Sequence, residues 1–167
     1  MSVLTAPTRL RLPDLLNTTD VYADAVLSGH FDHLLPHSGL PCDGRWFRRL
    51  HTDDDLDVWL ISWAPGHATE LHDHAGSLGA LTVLSGALRE YRWDGQRLRG
   101  RRLDAGDQAA FPLGWVHDVT ADASSAEALS VHAYSPPLTA MSYYEVTASQ
   151  RLRRVRTELT REPEKTA

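Results

Sequence analysis

Two histidines, His72 and His74, stand one residue apart in the stretch Gly66 to Gly86, GHATELHDHAGSLGALTVLSG. On a β-strand, residues i and i+2 project from one face, so both imidazoles can reach a single metal ion. A second stretch, GDQAAFPLGWVH from Gly106 to His117, ends on a third imidazole. A hydrolytic or oxidative metal centre usually needs about three protein ligands and an open position. His72, His74 and His117 are therefore the candidate metal ligands. No acidic residue sits where a fourth ligand would be easiest to place.

Such a cluster needs strands to hold it. From Trp46 onward, runs rich in Val, Leu, Trp and Tyr alternate with turn signals: WFRRLHT, DVWLISWAP, ALTVLSGALREYRW, DGQRLRGRRL, QAAFP, HDVTA, EALSVHAYS and MSYYEVT. The pairs Pro65-Gly66 and Asp94-Gly95, with Gly86 and Gly106, punctuate them. Many short strands at this spacing predict an all-β sandwich or barrel. There is no βαβ alternation and no internal repeat. Ahead of the strands, Leu15, Leu16, Val21, Ala25 and Val26 recur near a 3.6 period, which predicts a helix from Pro13 to Leu27. Asn17 or Thr19 could cap a second turn, and Gly29 ends the helix. Pro36, Gly39, Pro41 and Gly44 mark the loop that follows. The expected division is a helical cap and linker over 1–45, a barrel over 46–147 and a charged tail over 148–167. The tail reads as a solvated strand or helix with a frayed end, and residues 1–7 as disordered.

Composition narrows the function classes. With 167 residues, the chain is long enough for one domain with a real core. Its net charge of -5 suggests neither a nucleic-acid nor an anionic-membrane partner. The apolar runs are too short for a transmembrane span, and the N-terminus lacks the continuous apolar run of a secretory signal. Cys42 is the only cysteine, so no disulfide framework exists and a reduced cytoplasm is the expected compartment. In its turn-like segment after Pro41, Cys42 reads as a bystander thiol.

The glycine and histidine spacings resemble the two signature motifs of the cupin superfamily, a jelly-roll barrel of antiparallel strands. The first motif runs from Gly66 through His72, His74 and Gly79 to Gly86. The second runs from Gly106 through Pro112 and Gly114 to His117. Two positions depart: Gly79 stands where cupins usually carry a metal-binding Glu, and Ala121 where many carry Asn. Loss of the Glu leaves Fe(II) its full charge on three neutral imidazoles, which favours an anionic ligand such as a thiolate. The fold implied is a single cupin jelly-roll barrel with an N-terminal helical cap.

Within the superfamily, several segments are similar to the cysteine dioxygenase family: WAPGH followed by HDH, the segment SVHAYSPP from Ser130 to Pro137, and WFRRL upstream. That resemblance covers roughly Trp46 to Val146. It implies that His72, His74 and His117 hold Fe(II), and that Arg48 binds the substrate carboxylate. It also implies that Ser130, His132 and Tyr134 form a hydrogen-bonded set whose tyrosine points at bound substrate, with Ser135-Pro136 as a cis bond. The activity implied is oxidation of L-cysteine to cysteine sulfinic acid with O2; a cytoplasmic monomer is the separate expectation. Gly79 replaces the cysteine that animal members join covalently to the active-site tyrosine, so the chain looks like the bacterial type. Trp46 replaces an aromatic that is commonly Tyr. Arg48 and Arg49 are adjacent and must face opposite sides of a strand; Arg48 is chosen because the leucine two residues on then aligns. The sister activity on 3-mercaptopropionate is expected to carry Gln at that position. A non-catalytic metal-binding cupin would not need the Arg, Ser, His and Tyr set. His67 reads as a supporting residue outside the ligand set. Asp73 reads as a hydrogen-bonding carboxylate facing away from it, and the five Trp residues as packing.

Overall fold

The computed structural model describes residues 10–163; residues 1–7, expected to lack order, lie outside them. One helix, α1 (Leu12–Leu27), precedes eleven strands. These are β1 (Arg45–Thr52), β2 (Asp57–Trp63), β3 (His72–Asp73), β4 (Leu78–Ser85), β5 (Ala87–Trp93), β6 (Leu98–Asp104), β7 (Gln108–Phe111), β8 (His117–Ala121), β9 (Ala128–Ser135), β10 (Ala140–Val146) and β11 (Leu152–Leu159). They form two sheets, in the orders β1-β2-β9-β4-β7 and β11-β10-β3-β8-β5-β6. All the named strand pairs are antiparallel, as in a jelly-roll sandwich.

The first sheet is covered on both faces. Its inner face supplies Trp59, Ile61, Trp63, Leu81, Val83 and Phe111 to the core between the sheets. Its outer face packs Val58, Leu60, Ala80, Val131 and Ala133 against Leu15 and Ala23 of α1. This explains why DVWLISW shows no alternation: every residue of β2 is buried. The second sheet exposes its outer face, and the edge strands β6 and β11 carry most of the solvent-facing arginines there. Thus β11 lies within the segment expected to be a charged tail, as a solvated strand paired to β10.

Helix α1 starts where the Asp14 carboxylate accepts the Arg11 backbone N–H at 2.8 Å. It ends as predicted at Gly29, whose φ of 84° permits the N–H of Gly29 to bond Val26 O and that of His30 to bond Ala25 O. Asn17 and Thr19 cap nothing, because the helix runs through them unbroken. Thr19 instead faces the sheet, fully buried, and accepts the Thr82 hydroxyl at 2.8 Å. Gln108 closes this polar contact by donating to Thr82 Oγ1 and to the Leu16 carbonyl, both at 2.8 Å. At Gly86, between β4 and β5, φ is 68° and an added Cβ would lie 2.1 Å from the Glu127 carbonyl, so only glycine fits. The Ser135-Pro136 bond is cis.

Candidate metal centre

The three motif histidines meet between the sheets. His72 opens β3, His117 opens β8 and pairs with it directly, and His74 follows β3 by one residue. Their ligand atoms lie within 4.8 Å of one another and all three side chains are buried. The rings are mutually tilted, with centroids 5.0 Å apart for His72 and His74, 4.8 Å for His72 and His117, and 5.3 Å for His74 and His117. Tilted rings around one point present lone pairs to a common centre.

Two tautomers follow from their partners. His72 Nδ1 lies 2.7 Å from the Glu70 carbonyl oxygen, which only accepts, so Nδ1 carries the proton and Nε2 the lone pair. His117 Nδ1 likewise donates to Glu90 Oε1 at 2.9 Å. Burial holds His74 well below the usual histidine range, and a proton there would crowd charge beside His72, His117, His132 and Arg45. A neutral imidazole is what a metal requires. Three neutral nitrogens so arranged fit a divalent transition metal.

The opposite wall comes from the first sheet. Ser130, His132 and Tyr134 alternate inward along β9. Ser130 Oγ lies 2.9 Å from His132 Nε2, and His132 Nδ1 lies 3.2 Å from Tyr134 Oη. Trp63 extends the chain, its indole N–H donating to Ser130 Oγ at 2.8 Å. An indole N–H only donates. The direction that satisfies every group then has Ser130 donating to His132 Nε2 and His132 Nδ1–H donating to Tyr134. Burial holds His132 well below the usual histidine range, aided by the charge of Arg45, so a single neutral tautomer fits this chain. The Tyr134 hydroxyl accepts from His132 in this chain, and its ring lies 4.9 Å from that of His74.

The cation at this cavity is Arg45, not Arg48. The lining includes Arg45, Trp63, the three clustered histidines, His132, Tyr134, Phe111 and Met141. Along β1, Arg45, Phe47 and Arg49 face inward, and Arg45 lies 4.4 Å above the Trp63 ring. Arg48 is exposed on the other face. Trp46 and Leu50 share that face and pack toward α1. The leucine that selected Arg48 thus belongs to the layer under the helix. Arg49 shares the inward parity but ends over Trp59, 3.8 Å from Asp57, away from the histidines.

Sequence reading also passed over Glu90 and gave Trp63 packing only. Glu90 is fully buried at an inward position two residues beyond Leu88, and a charge at a core position of a strand is the signal that marks it. Burial pushes its carboxyl up, but hydrogen bonds from His117 and Trp115 and the charges of His117 and Arg101 outweigh this and bring it down to about 2. Phe111 and Tyr134 fill the space in front of Gly79: an added Cβ would lie 2.9 Å from Phe111 and 3.3 Å from Tyr134. His67 stands outside the cluster, its carbonyl accepting from Thr120. Asp73 turns away and accepts the Tyr144 hydroxyl at 2.6 Å. Cys42 is exposed.

Residues 43–147 match the model of the family described as Cysteine dioxygenase type I. The chain belongs to that family. It is 31% identical over 93 residues to cysteine dioxygenase type 1 of Danio rerio, covering 49% of this chain and 46% of the relative. To the Homo sapiens protein of the same name it is 29% identical over 92 residues, with the same coverage of 49% and 46%. The matched part therefore spans less than half the length of these relatives. Among solved structures, a conserved protein with a double-stranded β-helix domain from Klebsiella pneumoniae is similar with a TM-score of 0.52 at 18% identity, over 75% of this chain and 93% of that one. KdgF from Halomonas sp. is similar with a TM-score of 0.50 at 22% identity, over 56% and 81%. These likenesses concern the fold, and the family places it in the cupin superfamily. No helix among the described residues is long and apolar enough to cross a membrane.

Proposed function

We propose that this chain is a cytoplasmic thiol dioxygenase that oxidises L-cysteine to cysteine sulfinic acid, both oxygens coming from O2, at one Fe(II) held by His72, His74 and His117. The observation that carries the reading is the three-histidine cluster facing the Trp63–Ser130–His132–Tyr134 chain, with a guanidinium beside both. When bound, Fe(II) lowers the pKa of a coordinating thiol and supplies the redox chemistry with O2. The protein supplies the rest. Arg45 holds the substrate carboxylate through charge-assisted hydrogen bonds. Tyr134 donates its hydroxyl hydrogen toward the reacting sulfur, and the chain behind it keeps that donor pointed inward. Trp63, Phe111, Val119 and Met141 line the cavity and exclude water, which strengthens each of these polar contacts.

A second reading is 3-mercaptopropionate dioxygenase. The exposure of Arg48 favours it, because the residue expected to separate the two activities does not reach the cavity. Arg45 suits any thiol with a carboxylate. Family membership keeps cysteine first. The test is oxygen uptake by iron-loaded protein with cysteine, 3-mercaptopropionate and cysteamine, with mass detection of the sulfinates and metal analysis. Fastest uptake with cysteine, one iron per chain and cysteine sulfinate as product are expected. Faster turnover of 3-mercaptopropionate would move the assignment to the second reading. Metal uptake without turnover of any thiol would leave a non-catalytic metal-binding cupin.

A further inference from the structure

We infer that Glu90 is a positioning residue for His117 and that it delivers, from behind this ligand, the negative charge absent from the ligand set itself; the inference rests on the metal reading above. Three observations carry it. Glu90 is fully buried on β5, where its carboxylate receives three donors: His117 Nδ1 at 2.9 Å, Trp115 Nε1 at 3.0 Å and Arg101 Nε at 2.6 Å. A buried carboxylate is costly, and one that serves packing alone would be better replaced by an apolar side chain. Its Oε1 atom instead serves His117 and Trp115 together and fixes the ring by which His117 faces the other histidines.

The ligands are then not equivalent. His72 donates to a neutral backbone carbonyl, whereas His117 donates to an anion, which makes the His117 lone pair the more basic. A carboxylate on β4 is sterically shut out, since any side chain at Gly79 would meet Phe111 and Tyr134. The anion therefore acts through an imidazole. It can offset part of a metal's charge without occupying one of its coordination positions, and all positions beyond the three histidines stay available to substrate and O2. Arg101, half exposed on the edge strand β6 directly opposite Glu90, closes the network without touching the histidines.

Glu90→Gln tests this. The amide oxygen can still accept from His117 and Trp115, while Arg101 turns out to solvent, so the hydrogen bond survives and the charge does not. Metal-free protein is titrated with Co(II) and, under anaerobic conditions, with Fe(II). Affinity should fall about 10- to 100-fold in Glu90→Gln, the range for lost support behind a metal ligand. Arg101→Gln, which breaks the same ion pair from the other side, should stay within about twofold of wild type. Equal affinity in wild type and Glu90→Gln, or equal losses in both variants, would overturn the inference and leave Glu90 as a fold residue. Should Glu90→Gln not fold, nitrogen NMR of metal-free wild type decides: the His117 proton should sit on Nδ1, and a proton on Nε2 would overturn the inference. Wild-type protein that takes up no metal would instead sink the metal reading, and this inference with it.

Discussion

The guanidinium of Arg45 sits at 4.4 Å from the Trp63 ring centre and shares a cavity with the three clustered histidines. A hydrogen-bonded charge pair with a substrate carboxylate in that setting contributes roughly 1.5–3 kcal/mol, or about 10- to 150-fold in affinity. Arg45→Ala should raise KM for cysteine by that order and leave cysteamine, which lacks the carboxylate, nearly unchanged. Arg48→Ala should leave both unchanged, because its side chain is solvated on the far face of β1. Steady-state oxygen uptake with the two thiols checks all four outcomes. A loss with Arg48→Ala and none with Arg45→Ala would return the carboxylate to the position that the leucine alignment selected.

Strand β4 shows how one element constrains the site. Its inner face carries Gly79, whose neighbours across the ladders are Phe111 on β7 and Tyr134 on β9. The missing side chain is what lets those two rings come together in front of the histidines. Filling the gap overpacks a tight core, at about 1–3 kcal/mol. Gly79→Cys should therefore lower unfolding stability in urea by that amount and displace the Tyr134 ring. Gly76→Ala is the matched control: its φ is not positive, nothing lies within 4 Å of an added Cβ, and the expected change is within about 0.5 kcal/mol. Equal stability of Gly79→Cys and wild type would show that the Phe111 ring yields freely.

Across the whole molecule, the histidine cluster and the wall that faces it belong to different sheets. His72, His117 and Glu90 stand on β3, β8 and β5 of the six-stranded sheet. Arg45, Trp63 and the Ser130–His132–Tyr134 set stand on β1, β2 and β9 of the five-stranded one. Closing the sandwich assembles the site and buries His132 uncharged. Its pKa is depressed in the folded state, chiefly by burial, from the ordinary value of about 6.5. The unfolded chain thus binds a proton more readily as pH falls through that value, so the stability tied to His132 is present above about pH 6.5 and is lost on acidification. The melting temperature of metal-free protein should fall from pH 8 to pH 5.5, and His132→Gln should fall less over the same interval. Parallel curves for the two proteins would mean that His132 titrates normally in the fold.

The pair His72 and His74 was legible in the sequence because its geometry is local, whereas His117 was legible as the last residue of the second motif. His72 and His74 share a strand face through their two-residue spacing, and the glycines beside them mark the turns that start and stop the strands. The spacing of Ser130, His132 and Tyr134 puts them on one strand face, but that they form a set came from the resemblance of SVHAYSPP; the end of α1 at Gly29 was legible locally, since there only the chain's own backbone must be satisfied. Which face of β1 looks into the barrel was not. Trp46, Arg48 and Leu50 alternate as convincingly as Arg45, Phe47 and Arg49, and both faces are covered, one by the opposite sheet and one by α1. Alternation reports that two faces differ, not which neighbour each one meets. Glu90 shows the same limit. Its place on an inward face follows from the strand period, but its partners His117 and Trp115 come from 27 and 25 residues away, brought there when β5 pairs with β8. Short-range spacing sets His72 beside His74; how the strands pair and the sheets close decides that His117 joins them and which charges stand around them.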